Sequence, residues 1–176
     1  MVKILKILIL FLFSYTAYGQ CPIRGDGAMR LWHIDSLKNI KSCPDTSEAY
    51  QADFNTLATD YIMDSMFVFL DCFIVSAKLS GIESCECHDS SPAMRDYHIY
   101  VSDKPKNTNN KCVIVEVTRF SRQFNPSLTL AYVKSLVGKK VRVYGYVFSD
   151  EEHKNAIGKW RQGIEEIHPV FYIEKL

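Results

Sequence analysis

The stretch "LVGKKVRVYGYVFSD", Leu136–Asp150, decides the fold. It opens on the end of an apolar helix that Gly138 stops. Two lysines then give the next segment a solvated start, and "KKVRVYGYVFSD" alternates as a strand from Lys139 to Asp150. Gly145 inside that strand permits the sharp bend that a small barrel needs. Just upstream, "NPSLTLAYVKSLVG" reads as a short helix, with Pro126 in its first turn and Gly138 at its stop. Leu128, Leu130, Ala131, Val133, Leu136 and Val137 give it one buried face.

Three further strands precede this helix and one follows the Lys139–Asp150 strand. "MFVFLDCFIVSAKLSG" (Met66–Gly81) is rich in β-branched and aromatic residues, and its length predicts a bulge or bend. "DYHIYVSD" (Asp96–Asp103) and "KCVIVEVTRF" (Lys111–Phe120) are the second and third strands. "HPVFYIEKL" (His168–Leu176) is the fifth. The order strand, strand, strand, helix, strand, strand is that of an OB-fold. The predicted class is therefore mainly β: a five-stranded OB-fold-like Greek-key barrel with a helix between strands three and four. The competing architecture is an α+β sheet with one covered face.

The chain has 176 residues, 47% hydrophobic and 23% charged, which suits one globular domain. Residues 1–19 are read apart from it. "MVKILK" is basic, "ILILFLFSY" is a short apolar run, and Ala17-Tyr18-Gly19 places small residues at a signal-peptidase site. The expectation is a signal peptide at 1–19, cleaved before Gln20, with no stable membrane anchor left and a secreted or periplasmic destination. Gln20 stands where a lipobox needs a small residue, so Cys21 is not read as lipidated. Removing Lys3 and Lys6 takes the net charge from +1 to about −1. A near-neutral chain has no footprint for a polyphosphate backbone, which disfavours nucleic acid as a partner.

Residues 20–65 read as an irregular or partly helical extension packing on a barrel at 66–176. Within the extension "DTSEAYQADFNTLATDYI" (Asp45–Ile62) carries a helix expectation, capped at Asp45 or Thr46. "GDG" at Gly25–Gly27 is a turn signal. Six cysteines (Cys21, Cys43, Cys72, Cys85, Cys87, Cys112) in an exported chain predict at least one disulfide, but spacing does not choose among fifteen pairings. Cys85 and Cys87 are too close for an unstrained mutual bridge. They pair outward, stay reduced, or bind a metal.

In an OB-fold the loop after strand one and the loop after strand four border the usual binding face. Here the first is "GIESCECHDSSPAMR" (Gly81–Arg95) and the second begins "SDEEH" (Ser149–His153). Asp96 and His98 share a face by the two-residue period, as do Glu166 and His168, and Glu116 returns beside strand two. Histidine and carboxylate donors suit a divalent metal such as zinc, or general acid–base work. Each residue alone also has a plain structural reading, as a hydrogen-bonded strand histidine or a solvated turn. No P-loop, GxGxxG or serine-nucleophile motif is present.

At these residues the chain resembles an uncharacterised family of exported bacterial proteins with an OB-like barrel. The resemblance covers roughly Phe69 to Glu174 and runs through "GIESCEC", "RDYHIYV", "IVEVTRF", "FSDEEHKNA" and "WRQGIEEIHPV". It implies that Cys85, Cys87, Asp96, His98, Glu116, Asp150, His153, Trp160, Arg161, Glu166 and His168 belong to shared motifs. It supplies no reaction. Two positions depart from the motifs: Glu165 stands for a tryptophan and Ser149 for an aromatic residue.

The leading expectation is a binding module with a His/carboxylate site at the barrel mouth. His98, His153 and His168 are its metal candidates; Asp96, Glu116, Asp150, Trp160, Arg161 and Glu166 face its ligand, an unidentified small molecule or protein. The alternatives are a metal-dependent hydrolase of phosphodiesterase or nuclease type, and an OB-fold nucleic-acid binder resting on fold analogy alone.

Overall fold

The computed structural model describes residues 21–58 and 64–176. The signal-peptide expectation for residues 1–19, with its cleavage before Gln20, lies outside the described residues. The elements in chain order are α1 (Trp32–Lys38), β1 (Tyr50–Ala52), β2 (Phe67–Leu79), β3 (Tyr97–Ser102), β4 (Val113–Val117), α2 (Arg119–Phe124), α3 (Leu130–Ser135), β5 (Lys140–Ser149) and β6 (Glu165–Lys175). Among the described residues no helix is long and apolar enough to cross a membrane.

β2 serves two neighbours in succession. Its first half pairs antiparallel with β5, from Phe67↔Tyr146 to Phe73↔Lys140. Its second half pairs with β3, from Phe73↔Ser102 to Leu79↔Tyr97, after an irregularity between Ile74 and Ser76. β4 pairs with β3, β6 pairs with β5, and β4 and β6 run parallel at Ile114↔Glu166 and Val115↔Ile167. The ring β2-β3-β4-β6-β5 therefore closes on β2. This is the strand order and the parallel three–five contact of an OB-fold, so the expected barrel is present. The short β1 adds in parallel to the start of β2, at Tyr50↔Val68 through Ala52↔Leu70.

Closure is sheared. Lys78 pairs with His98, His98 with Glu116, and the parallel ladder carries Glu116 to the level of His168. Two steps past Phe148↔Glu166 on the other side lies Tyr146, which returns to β2 at Phe67. A circuit that leaves β2 at Lys78 thus arrives back at Phe67, the stagger that closing a small barrel requires.

Val68, Leu70, Ile74, Ile99, Val101, Val113, Val115, Val117, Val141, Val143 and Ile167 fill the interior, and Leu128, Val133 and Leu136 close one end. Of the helix expected over Asn125–Gly138 only α3 forms, and a separate helix, α2, precedes it where the third strand was expected to run on to Phe120. The third strand ends at Val117 because Thr118 caps α2: its hydroxyl accepts from Ser121 N at 3.0 Å. Thr129 caps α3 in the same way, so Pro126 lies between helices and not in a first turn.

The helix expected over Asp45–Ile62 is corrected. Its described part holds a 3-10 turn at Thr46–Glu48, then β1, then a 3-10 turn at Thr56–Ala58; residues 59–62 lie outside the described set. Asp45 does cap the first turn, accepting from Ser47 N at 2.9 Å. The Asp53 carboxylate then accepts from Asn55 N and Thr56 N, both at 2.8 Å. That local turn outcompetes the helical ladder, as short polar side chains do.

Candidate functional site

Strand alternation fixes where the polar residues sit. Ile99, Val101, Val113, Val115, Val117 and Ile167 point into the barrel. The residues of opposite parity, His98 and Tyr100 on β3, Ile114 and Glu116 on β4, and Glu166 and His168 on β6, therefore lie on the outer face of one β3–β4–β6 sheet. Tyr100 and Ile114 belong to a separate outer apolar cluster with Cys112 and Val75. These residues therefore gather beside the two loops expected to border the site, on the outer face of the sheet. Shear, not a shared strand end, brings these segments together.

That outer face is covered by the N-terminal extension. Cys21 is disulfide-bonded to Cys87. Asp35 accepts from Ser84 Oγ at 3.0 Å, and Asn39 donates to the carbonyl of Cys85 at 2.7 Å. Gly25 has a positive φ of 63°, and a Cβ there would stand 2.3 Å from the Ser84 carbonyl, so the turn read from "GDG" is also a close backbone approach. The expected disulfide is present, and Cys85 and Cys87 part company: Cys87 is bonded outward, while Cys85 is a free, buried thiol that burial and Glu83 push well above its usual pKa.

Between this cover, the loop after β2 and the loop after β5 lies a cavity of about 400 Å3. Its charged lining includes Lys38, Glu83, His98, Glu116, Asp150, His153, Arg161 and Glu166, with Tyr100, Ile114 and Trp160 as apolar wall. Trp160 is 62% exposed at the rim. Lys38 and Glu83 were not singled out from the sequence. They pair at 3.0 Å across 45 residues, a contact with no local signature.

Two ionic systems organise the floor. In the first, Arg161 reaches Asp150 at 2.7 Å and Glu166 at 2.8 Å, and donates to the carbonyls of Gly163 and Ile164. His153 adds a 2.6 Å contact to the same Asp150 oxygen. Burial would raise the Asp150 carboxyl, but His153, Lys38 and Arg161 together hold it well below the usual range. The contact with Asp150 raises the His153 pKa, against a smaller effect of burial.

In the second system His98 Nδ1 lies 2.7 Å from Glu116 Oε1. Burial opposes charge on His98, yet Glu116 raises its pKa; burial raises that of Glu116, opposed by His98 and His168. His168 is fully buried with Nε2 3.4 Å from Asp96, and with Nδ1 3.4 Å from Glu166 and 3.8 Å from Glu116. Burial alone would favour its neutral form, but Asp96, Glu166 and Glu116 push it up to about 10. Beside Asp96, burial and that carboxylate push Glu86 up to about 10.

Of the metal candidates, His168 joins Asp96 and Glu116 in a set whose donor atoms lie within 4.8 Å of one another; His98 and His153 are not in that set. Ser149 and Glu165, the two departures from the motifs, are register partners, and Ser149 Oγ donates to Glu165 at 2.7 Å.

No family model and no curated protein matches the chain. Among solved structures it is similar to an aspartyl tRNA synthetase from Entamoeba histolytica, with a TM-score of 0.43 and 15% identity over 77% of this chain and 23% of that chain. The barrel assignment rests on strand order and register.

Proposed function

We propose that the chain is an exported binding module that takes a small polar molecule in the cavity between the loops after β2 and β5. One observation carries this reading. Three polar atoms of the lining residues are buried without a hydrogen-bond partner among the described residues: Glu116 Oε2, which faces His168, and the pair His98 Nε2 and Asp150 Oδ1. A buried polar atom left unmatched costs about 1–3 kcal/mol, so a ligand that satisfies that pair recovers that free energy. Glu116 holds His98 Nδ1 at 2.7 Å and favours the charged ring, the form in which Nε2–H is a donor. Asp150 presents an acceptor. The fitting ligand therefore carries an acceptor and a donor on one small frame, as amino acids, hydroxy acids and sugars do.

The cavity size suits such a molecule. Trp160 offers an aromatic flank at the rim. The Cys21–Cys87 disulfide supports the exported part of the reading. Near-neutral charge argues against a nucleic-acid ligand.

The test is a thermal-shift panel of amino acids, hydroxy acids and sugars, followed by calorimetry of any hit. A ligand at 100 times its Kd stabilises by about 2.7 kcal/mol, a rise of roughly 5–11 °C in Tm for a chain of this size. His98→Gln should weaken the hit at least 10-fold. A panel with no shift, or a hit bound equally by wild type and His98→Gln, would defeat the proposal.

A further inference from the structure

Beneath the cavity floor lies a second, buried group that shares only Glu116 with the ligand reading. Asp96 at the head of β3, Glu116 on β4 and His168 on β6 each offer one donor atom within 4.8 Å of the others. Their side chains are at most 4% exposed. Asp96 Oδ1, Glu116 Oε2 and His168 Nε2 have no hydrogen-bond partner among the described residues. Two buried carboxylates are expensive unless a cation satisfies them; within the group itself the charged His168 ring is that cation, and a metal ion that displaces the ring proton takes over the role.

The same protein provides an internal standard. Where its histidines simply pair with carboxylates the contacts are tight: 2.7 Å for His98 with Glu116 and 2.6 Å for His153 with Asp150. Charge-assisted hydrogen bonds sit near that length. All three contacts of His168 are long, at 3.4, 3.4 and 3.8 Å. The carboxylates stand around this ring without closing on it, with Glu116 held through its other oxygen by His98 and Asp96 hydrogen-bonded by Glu86.

We infer that Asp96, Glu116 and His168 form a binding site for one divalent transition-metal ion. One imidazole and two carboxylates make a mixed nitrogen–oxygen set that suits Zn2+ or Mn2+. It falls short of the six to eight oxygens that Ca2+ takes. Zinc bonds of this type put neighbouring donors about 3.3 Å apart in a tetrahedron, so an ion draws the set together from separations of at most 4.8 Å. Glu116 lines the cavity as well as the buried group, so the ion enters from the cavity side. Once bound, it fixes the Glu116 carboxylate that orients His98. The inference is independent of the small-molecule reading: chelated protein can still be screened with the ligand panel, and metal can be titrated with no organic ligand present.

The experiment uses the full chain, stripped with a chelator and dialysed against micromolar free Zn2+ or Mn2+, with bound metal counted by mass spectrometry. One ion per chain is expected, and Asp96→Asn should lower its affinity by at least 10-fold, since even indirect ligand supports contribute that much. Wild type gives an independent readout: Mn2+ should broaden backbone amide signals around Asp96, Glu116 and His168 before any others. If Asp96→Asn does not fold, the position of that broadening decides. No retained ion in wild type, equal affinity in folded Asp96→Asn, or broadening centred elsewhere, at His88 or His153 for example, would overturn the assignment.

Discussion

Replacing Arg161 by Met tests the ionic floor of the cavity most directly. The methionine keeps most of the volume, so no large cavity opens, while the cation and all its donors disappear. Arg161 is 4% exposed and holds Asp150 at 2.7 Å and Glu166 at 2.8 Å. Breaking a buried pair by removing one partner costs about 3–5 kcal/mol, because the other charge is left uncompensated. Here two carboxylates lose their cation, but each keeps a histidine: His153 at 2.6 Å from Asp150, His168 at 3.4 Å from Glu166. The expected loss is therefore at the low end, about 3 kcal/mol, or roughly 6–12 °C in Tm. The deficit should depend on pH. Asp150 has a depressed folded pKa, so its contribution is complete above the unfolded value of ~3.9 and fades as pH falls toward the folded one. Removing Arg161 weakens that depression. Wild type and variant should thus differ most at neutral pH, with the deficit shrinking only well below about pH 4, as pH approaches the depressed folded pKa of Asp150. Urea unfolding followed by circular dichroism at pH 7 and about pH 2 measures both effects. A loss under about 1 kcal/mol at pH 7, or an equal deficit at both pH values, would refute the reasoning.

Four other outcomes are expected. Gly145→Ala drives a Cβ to 2.4 Å from the Pro169 carbonyl and 2.7 Å from Ile167; with backbone as the obstacle, the loss should reach about 3 kcal/mol, and a thermal melt within 2 °C of wild type would contradict it. Thiol counting under denaturing, non-reducing conditions should find four free thiols, Cys43, Cys72, Cys85 and Cys112. Reducing the Cys21–Cys87 bridge, which spans a separation of 66 residues, should cost about 4 kcal/mol by loop entropy, and six free thiols would rule the bridge out. An NMR titration should place His153 above its ordinary 6.5, with Asp150→Asn bringing it back down; its favourable contact is full below about pH 6.5 and lost as pH rises through the folded pKa, so an unchanged value in the variant would break the assignment.

The barrel was legible because its strands carry a period of two and its breaks carry glycine. Gly138 ends the helical region and Gly145 accepts the close pass of Pro169. The N-terminal region was not legible because its order is imposed from outside. Tyr50–Ala52 is a strand through the β2 edge it meets, and Lys38 is a cavity residue through Glu83. The residues of the site were visible as types, since histidines and carboxylates recurred at strand ends and loops. Their grouping was not. Whether His168 meets His153 or Asp96 depends on barrel shear and on which face each strand turns outward, and both are properties of the closed ring. Cysteine pairing failed for the same reason: Cys87 differs from Cys85 by a left-handed turn at φ 52° that directs it toward Cys21.

The two attachments of the N-terminal extension give the cavity an unusual assembly rule. One wall, with Lys38, comes from a segment that is joined to the barrel by the chain running into β2 and, at its other end, by Cys21 to Cys87. That wall behaves as an internal subunit on a two-ended leash. Cutting one tether leaves the other, and a single short tether still maintains an effective concentration on the order of millimolar. A chain cut between Lys38 and Phe67 would leave both pieces covalently joined through the disulfide, and a reductant alone would leave the polypeptide link. Only the two together convert the wall into a free molecule whose presence at the cavity depends on dilution.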